Sequence, residues 1–456
     1  MDDRSGRGDA RIALGWLVGA TTIGSFGLAA GGSAGALVAT SLSGSGSTSG
    51  LPLTALATGS ALSIVAVGRL GRRIGRLSAL AIAYGFGGVG AVLVIVAAAR
   101  ANLALVLVGS LLLGGPNAAV FLSRYAAADL VAPDRRGRAL GLVLGSVTVG
   151  AVGGSYLLGP TAGVARALGL PAVVGLYLLA VPAFLTAGLV LGRLAGRRDP
   201  VPDRERRARR VRDLLLGPGP VRRAGALLAI ANLAMTAIMV VIPVHLTHHG
   251  HGLHLVGGLV GLHVAGMFCP SPLSGWLTDR IGGQRVGHAG LAVLVLTATG
   301  WAATGATDAF GAGLLLLALG IGWNAAVVGG SALIATTTAE TDRLGVEAGA
   351  ELAKEAGAGL GAPLAGVVVV LFGFPALCLL IGLVCTAGLA ALRSVRDPGA
   401  GERRAVGSSA FCTTLSRTAA VPRPLPTPTA SEVTDGRHDA PITTHGGGPM
   451  SKRPSP

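Results

Sequence analysis

The sequence predicts an all-α membrane protein, with twelve transmembrane helices arranged as two pseudo-symmetric six-helix bundles. Three observations carry this expectation. The chain is 51% hydrophobic and only 13% charged, with a mean hydropathy of +0.66. It contains twelve apolar stretches of about the 20 residues needed to cross a hydrocarbon core. Finally, Gly68-Arg-Leu-Gly-Arg-Arg-Ile-Gly75 recurs 207 positions later as Gly275-Trp-Leu-Thr-Asp-Arg-Ile-Gly282. The same spacing superimposes Asn117-Ala-Ala-Val120 on Asn324-Ala-Ala-Val327, and Arg136 on Arg343. A repeat that long is a duplicated domain, because solenoid units have periods of about 20–50 residues.

In the first copy the apolar stretches lie near 12–37, 51–67, 77–99, 103–123, 139–160 and 171–192. In the second they lie near 224–246, 255–277, 286–304, 309–334, 347–372 and 374–392. The bundles are therefore placed at 12–192 and 224–392. Residues 1–11 are expected to be a cytoplasmic tail; no cleavage site follows, so the first span is read as a retained helix and not as a signal peptide. Residues 193–223 form a basic cytoplasmic linker, with Arg206-Arg-Ala-Arg-Arg210 flanked by Pro200, Pro202, Pro218 and Pro220, suited to anionic headgroups. Residues 393–456 are rich in Pro, Ser, Thr, Gly and Arg without apolar periodicity and are expected to be a disordered cytoplasmic tail. The chain has 74 glycines. In lipid such small residues let helix backbones approach closely, so Gly141, Gly145, Gly150 and Gly154 of the fifth span, and Gly357, Gly361 and Gly366 of the eleventh, are read as helix interfaces.

The net charge of +16 is distributed by side of the membrane. With both termini inside, Arg69, Arg72, Arg73, Arg76, Arg124, Arg135, Arg136, Arg138 and the Arg193–Arg223 run all fall on the cytoplasmic side, as the positive-inside bias requires. This makes nucleic-acid binding unnecessary and predicts a multi-pass protein of the plasma (inner) membrane. Cys269, Cys378, Cys385 and Cys412 lack metal-ligand or redox-pair spacing and are read as free thiols. No GxxxxGK[ST] loop occurs, so direct use of ATP is not expected.

The duplicated loop has its own physics. Gly68 and Gly275 permit close helix approach, Gly75 and Gly282 a tight turn, and Arg72, Arg73 and Arg280 lie where they can meet helix C-terminal carbonyls. An acid in the fifth position can pair with a basic group across the interface and hold one conformation shut. The second copy has that acid, Asp279, expected to pair with a basic helix end such as Arg343, and the first has Arg72 instead. This GxLxDRxG pattern resembles the loop signature of the major facilitator superfamily. The stretches Asn117–Asp129, Arg135–Val143 and Thr148–Val152, with Pro243–Gly250, His263–Met267 and Ser271–Arg280, resemble actinobacterial members labelled as drug or multidrug exporters. The resemblance implies two bundles rocking about a central substrate site. It also implies an acid in the first span of many proton-driven exporters, which is absent here.

Several polar residues interrupt the spans. Arg124 and Asp129 stand at the cytoplasmic end of the fourth span, either paired locally or lining the pathway. Glu347, Glu351, Lys354 and Glu355 share one face at the start of the eleventh; Glu351 and Lys354 can pair, leaving Glu347 or Glu355 to titrate, or the turn can lie in the headgroup zone. Asn117 and Asn324 are equivalent positions of the repeat. His245, His248, His249, His251 and His254 cluster in one outward loop without Cys or carboxylate, and no metal site is assigned. His263 is a candidate proton carrier or substrate contact, or an interhelical hydrogen bond.

The expected function is secondary active transport, as a proton-coupled exporter of small hydrophobic or amphipathic compounds working by alternating access. An uptake permease for a metabolite, or a non-transporting membrane sensor or assembly factor, are the alternatives. No enzymatic activity and no cofactor are expected. The expected partners are a small-molecule substrate, a proton gradient and the lipid bilayer, with the chain acting as a monomer.

Overall fold

The computed structural model describes residues 3–29, 34–43, 50–198, 219–305 and 308–394. All regular structure there is helical. The N-terminal bundle contains α1 (Asp3–Ala29), α2 (Gly35–Ser43), α3 (Leu51–Ile74), α4 (Arg76–Ala99), α5 (Leu103–Asp129), α6 (Arg136–Tyr156), α7 (Leu158–Ala167) and α8 (Gly175–Arg198). The C-terminal bundle contains α9 (Gly219–His248), α10 (Leu253–Phe268), α11 (Ser271–Ile281), α12 (Gly283–Thr304), α13 (Ala309–Thr337) and α14 (Glu340–Ser394). Eleven of these stretches are long and apolar enough to cross a membrane. The last, α14, holds the predicted eleventh and twelfth spans end to end, bent where Gly373 adopts φ 82° just before Pro375. The eighth span is two helices, α10 and α11, interrupted at Cys269-Pro270.

Helix limits differ from the sequence expectation in two places. α1 starts at Asp3, so most of the expected 1–11 tail is helical, and α8 and α9 run into both ends of the expected 193–223 linker. The rest of that linker (199–218), Cys412 and all but the first residues of the 393–456 tail lie outside the described residues.

Glycines set the helix spacing. A Cβ on Gly357 or Gly361 of α14 would meet the backbone of Ala229 or Leu233 on α9, and one on Gly150 would strike Ser25 of α1. Gly366 has open space around it, so it is not the interface residue expected, because that part of α14 turns the position away from its neighbours. Gly75 and Gly282 adopt φ 96° and 89°, a region costly for any residue with a Cβ, and so make the sharp α3–α4 and α11–α12 turns the sequence predicts.

The bundles meet mainly through α6 against α10 and α11, and through α3 against α14. These are the two equivalent junctions of the duplication. The α5 and α13 helices cross beside them, and there a residue and its own repeat equivalent touch: Arg124 Nε donates to Ser331 Oγ at 2.9 Å, across a separation of 207 residues. The pseudo-twofold axis therefore passes between α5 and α13 at that level.

Candidate functional site

Phe121 and Arg124 stand three residues apart on one face of α5, turned toward the C-terminal bundle. Arg124 is fully buried. A buried charge is tolerated only when paired and hydrogen-bonded, and here every arm of the guanidinium is used. Its Nη1 donates to the Phe121 carbonyl (2.6 Å), its Nη2 to Tyr125 Oη (3.2 Å) and to Glu351 Oε2 of α14 (2.6 Å). Glu351 is itself fully buried and pairs through Oε1 with Lys354 Nζ at 2.8 Å. Lys354 lies 3.1 Å from Glu355 Oε1 and stands 3.8 Å over the Phe121 ring of the opposite bundle. Its main chain is anchored from behind: Asn232 Nδ2 of α9 donates to the Lys354 carbonyl, and Trp323 Nε1 of α13 donates to Asn232 Oδ1.

A second layer lies nearer the helix ends. Arg76, the first residue of α4, pairs with Glu347 of α14 (2.5 Å) and with Asp129 at the end of α5 (3.3 Å), while Arg343 Nη1 of α14 reaches Asp129 Oδ1 at 2.6 Å. Arg136 Nη1 donates to the Ala335 carbonyl of α13 at 2.8 Å. The third layer is Asp279. Its carboxylate accepts the backbone N–H of Gly137 (2.7 Å) and of Arg138 (3.0 Å) at the start of α6, and Arg138 Nε lies 3.6 Å away. All three layers join the two bundles at the end that carries the duplicated loops, so the protein is shut at that end.

The structure thus brings Arg124, Asp129, Glu347, Glu351, Lys354 and Asp279 together and corrects several expectations. Asp279 bonds the α6 terminus and not Arg343, because Arg343 is taken by Asp129. Glu347 is buried and pairs across the bundles with Arg76. The face containing Glu347, Glu351 and Lys354 lies inside the protein, since all three are at most 2% exposed. Arg72 stands partly exposed at the end of α3 and Arg73 is exposed, and Arg280 stacks on its neighbour Trp276, with its Cζ 4.2 Å from the ring centroid.

Three predicted residues serve single bundles. Asn117 donates to Ser60 Oγ of α3 at 2.9 Å. Its equivalent, Asn324, donates to the Met267 carbonyl and Ser271 Oγ and accepts from Ser274 Oγ, clipping the broken eighth span to α13. His263 Nδ1 lies 3.0 Å from the Leu316 carbonyl of α13, away from the charged layers, which is the interhelical bond the sequence allowed. In the outward loop His245 Nε2 contacts the Gly305 carbonyl at 2.9 Å and its ring packs on Phe374, a role in joining α9, α12 and α14. The His254 side chain lies outside the described residues.

Sequence reasoning missed Arg76, Ser331, Asn232 and Trp323. Arg76 was indistinguishable from the topogenic arginines beside it. Ser331 could have been found as the repeat equivalent of Arg124. Asn232 was visible as a lone amide in an apolar span. An apolar cavity of about 320 Å³, lined by Ile23, Phe26, Leu157, Leu179, Pro182, Ala183 and Thr186, opens between α1, α8 and the turn before α7, within the N-terminal bundle.

Comparison with known proteins bears on this arrangement. The model of the Major Facilitator Superfamily matches residues 15–345. The MFS-type transporter YddS of Bacillus subtilis, described as uncharacterized, is 36% identical over 337 residues, covering 71% of this chain and 76% of its own. The riboflavin transporter RfnT of Brucella anthropi is 28% identical over 309 residues, covering 66% and 75%. Among solved structures, a bacterial homologue of the iron transporter ferroportin in an outward-facing state superposes with a TM-score of 0.66 at 14% identity, covering 84% of this chain and all of that one (100%).

Proposed function

This chain belongs to the Major Facilitator Superfamily and is a multi-pass membrane transporter, not an enzyme; from that premise we propose that it is a proton-coupled exporter of small hydrophobic or amphipathic compounds. The observation that supports this reading is the buried bridge Arg124–Glu351–Lys354 between the bundles. Ionisable groups inside a membrane bundle are costly and mark pathways and proton relays. For the loop-bearing end to open, Arg124 must leave Glu351; a proton taken up by Glu351 from the opposite side weakens that pair, and its release at the opened end recharges the carboxylate, so the proton moves in as substrate moves out. The positive-inside bias of the basic loops supports a cytoplasmic location for that end, and on this reading opening it admits substrate from inside. The apolar cavity beside α1 and α8 suits a hydrophobic or amphipathic cargo.

The test is extrusion. Cells with and without the gene are exposed to a panel of amphipathic compounds, with and without a protonophore, and the purified chain is reconstituted in proteoliposomes under an imposed pH gradient. Gradient-dependent extrusion is the expected outcome. Extrusion that ignores the protonophore removes proton coupling. A second reading, uptake of a polar metabolite, draws on the similarity to the riboflavin transporter; gradient-driven accumulation would establish it in place of export. No flux of any compound would favour the sensor.

A further inference from the structure

The charges in the deepest layer are divided unevenly between the bundles. The N-terminal bundle contributes one cation, Arg124; the C-terminal bundle contributes Glu351, Lys354 and Glu355 on one helix. When the bundles part, Glu351 keeps Lys354, which moves with it three residues along α14. Arg124 keeps only neutral partners of its own bundle, the Phe121 carbonyl and the Tyr125 hydroxyl. The two sides also differ in chemistry. A carboxylate can discharge by taking a proton, whereas a guanidinium stays charged at any pH a cell reaches. The unpaired group that only another anion can satisfy is therefore Arg124.

We infer that Arg124 is the recognition point for a carboxylate group on the transported compound, and that Glu351 is its internal stand-in when the loop-bearing end is closed. The inference rests on the transporter reading above and deepens it by naming a substrate class: amphipathic organic acids. Arg124 Nη2 already holds a carboxylate oxygen at 2.6 Å, so a place for one carboxylate oxygen is built. The Phe121 ring, one turn before it, offers an apolar surface for the body of such a molecule. Closing that end returns Glu351 to Arg124 and displaces the bound acid toward the opposite side, which is the direction export requires.

The experiment uses the full chain in detergent, in low-chloride buffer, with three probes of one shape and different charge: benzoate, benzyl alcohol and benzylamine. Thermal protection is measured on the wild type, on Glu351→Gln, on Arg124→Gln and on the double variant that removes both charges. Benzoate should protect the wild type more than the other two probes. It should bind Glu351→Gln about tenfold more tightly, because its internal competitor is gone, and lose its advantage in Arg124→Gln and in the double variant. The double variant removes the pair together, so it leaves no uncompensated Arg124. If Glu351→Gln does not accumulate, the wild type and the double variant decide alone. Benzoate protection no greater than that of the alcohol or amine in the wild type, equal protection by chloride, or a benzoate preference surviving in the double variant would each overturn the inference. Flux is a separate readout. A protein that prefers benzoate but does not export loses the export reading and keeps this one; exported amines without benzoate protection do the reverse.

Discussion

The two junctions between the bundles descend from one duplicated unit, yet they are built differently. At the α11–α6 junction three glycines bring main chain onto main chain: a Cβ on Gly275 would strike the Gly137 carbonyl, and the Gly275 and Gly141 backbones lie against each other. Asp279 then closes the contact by accepting two N–H groups from the first turn of α6. At the equivalent α3–α14 junction Gly68 faces the side chain of Ala348, the equivalent of Gly141, and the acid is replaced by Arg72. The reason lies in where the receiving helix starts. α6 begins at Arg136 after a short 3₁₀ turn at Pro133–Arg135, so Gly137 and Arg138 have N–H groups with no partner in their own helix. α14 begins three residues earlier in the repeat frame, at Glu340, so the N–H groups of Leu344 and Gly345 already bond within the helix. An acid at position 72 would find nothing to receive. The comparison teaches that a loop motif is a latch only where the opposing helix offers a free end.

Substitution can break this contrast, most strongly at the backbone contact. Gly275→Val should cost about 1–3 kcal/mol or more through overpacking against rigid backbone, seen as a loss of folded protein on size-exclusion chromatography; normal accumulation would show that the junction yields. Asp279→Asn should come next. It leaves one buried N–H facing an amide instead of an oxygen, at about 1–2 kcal/mol, and removes a favourable charge at a helix N-terminus. It should express and insert normally, transport poorly, and raise labelling of cysteines placed on the loop-side face of α5. Wild-type flux with unchanged labelling would reduce the loop to a topogenic anchor. Gly68→Ala should cost about 1–2 kcal/mol, because its new methyl meets only the Ala348 methyl and not backbone as at Gly275, so the two helices need part only slightly; a defect in thermal stability as large as that of Gly275→Val would erase the distinction. Arg72→Asp should have the smallest effect, within about 0.5 kcal/mol, with flux retained. A strong rise in closed-state population, read by the same cysteine labelling, would mean that α14 does offer a free end.

Much of the fold was legible before any coordinates. Span length and charge-free runs follow from the bilayer, and the 207-residue repeat identified which elements are equivalent. Pairing was legible only in part. Glu351 with Lys354 follows from helical spacing on one segment, whereas Arg124 with Glu351, or Arg76 with Glu347, depends on how two bundles dock, which no local pattern encodes. The partner of Asp279 was misread because helix ends shift by a few residues without leaving a strong sequence trace, and its receptor is backbone, invisible to any search for a complementary side chain. His263 drew attention as a titratable residue in an apolar span, but a single carbonyl across a helix interface accounts for one of its nitrogens.

The meeting of Arg124 with Ser331 bears on how such a chain could have arisen. In a symmetric pair of identical halves, whatever stands at this position would confront its own copy across the axis. Two arginines there would repel in a dry setting, and two serines would leave the carboxylate of the neighbouring helix with the lysine of its own helix alone and no ion pair between the halves. An assembly of two identical subunits therefore cannot contain this charge centre. Fusion into one polypeptide frees the two copies to diverge, so the gate is a property that a single half, however abundant, could not form by pairing with itself.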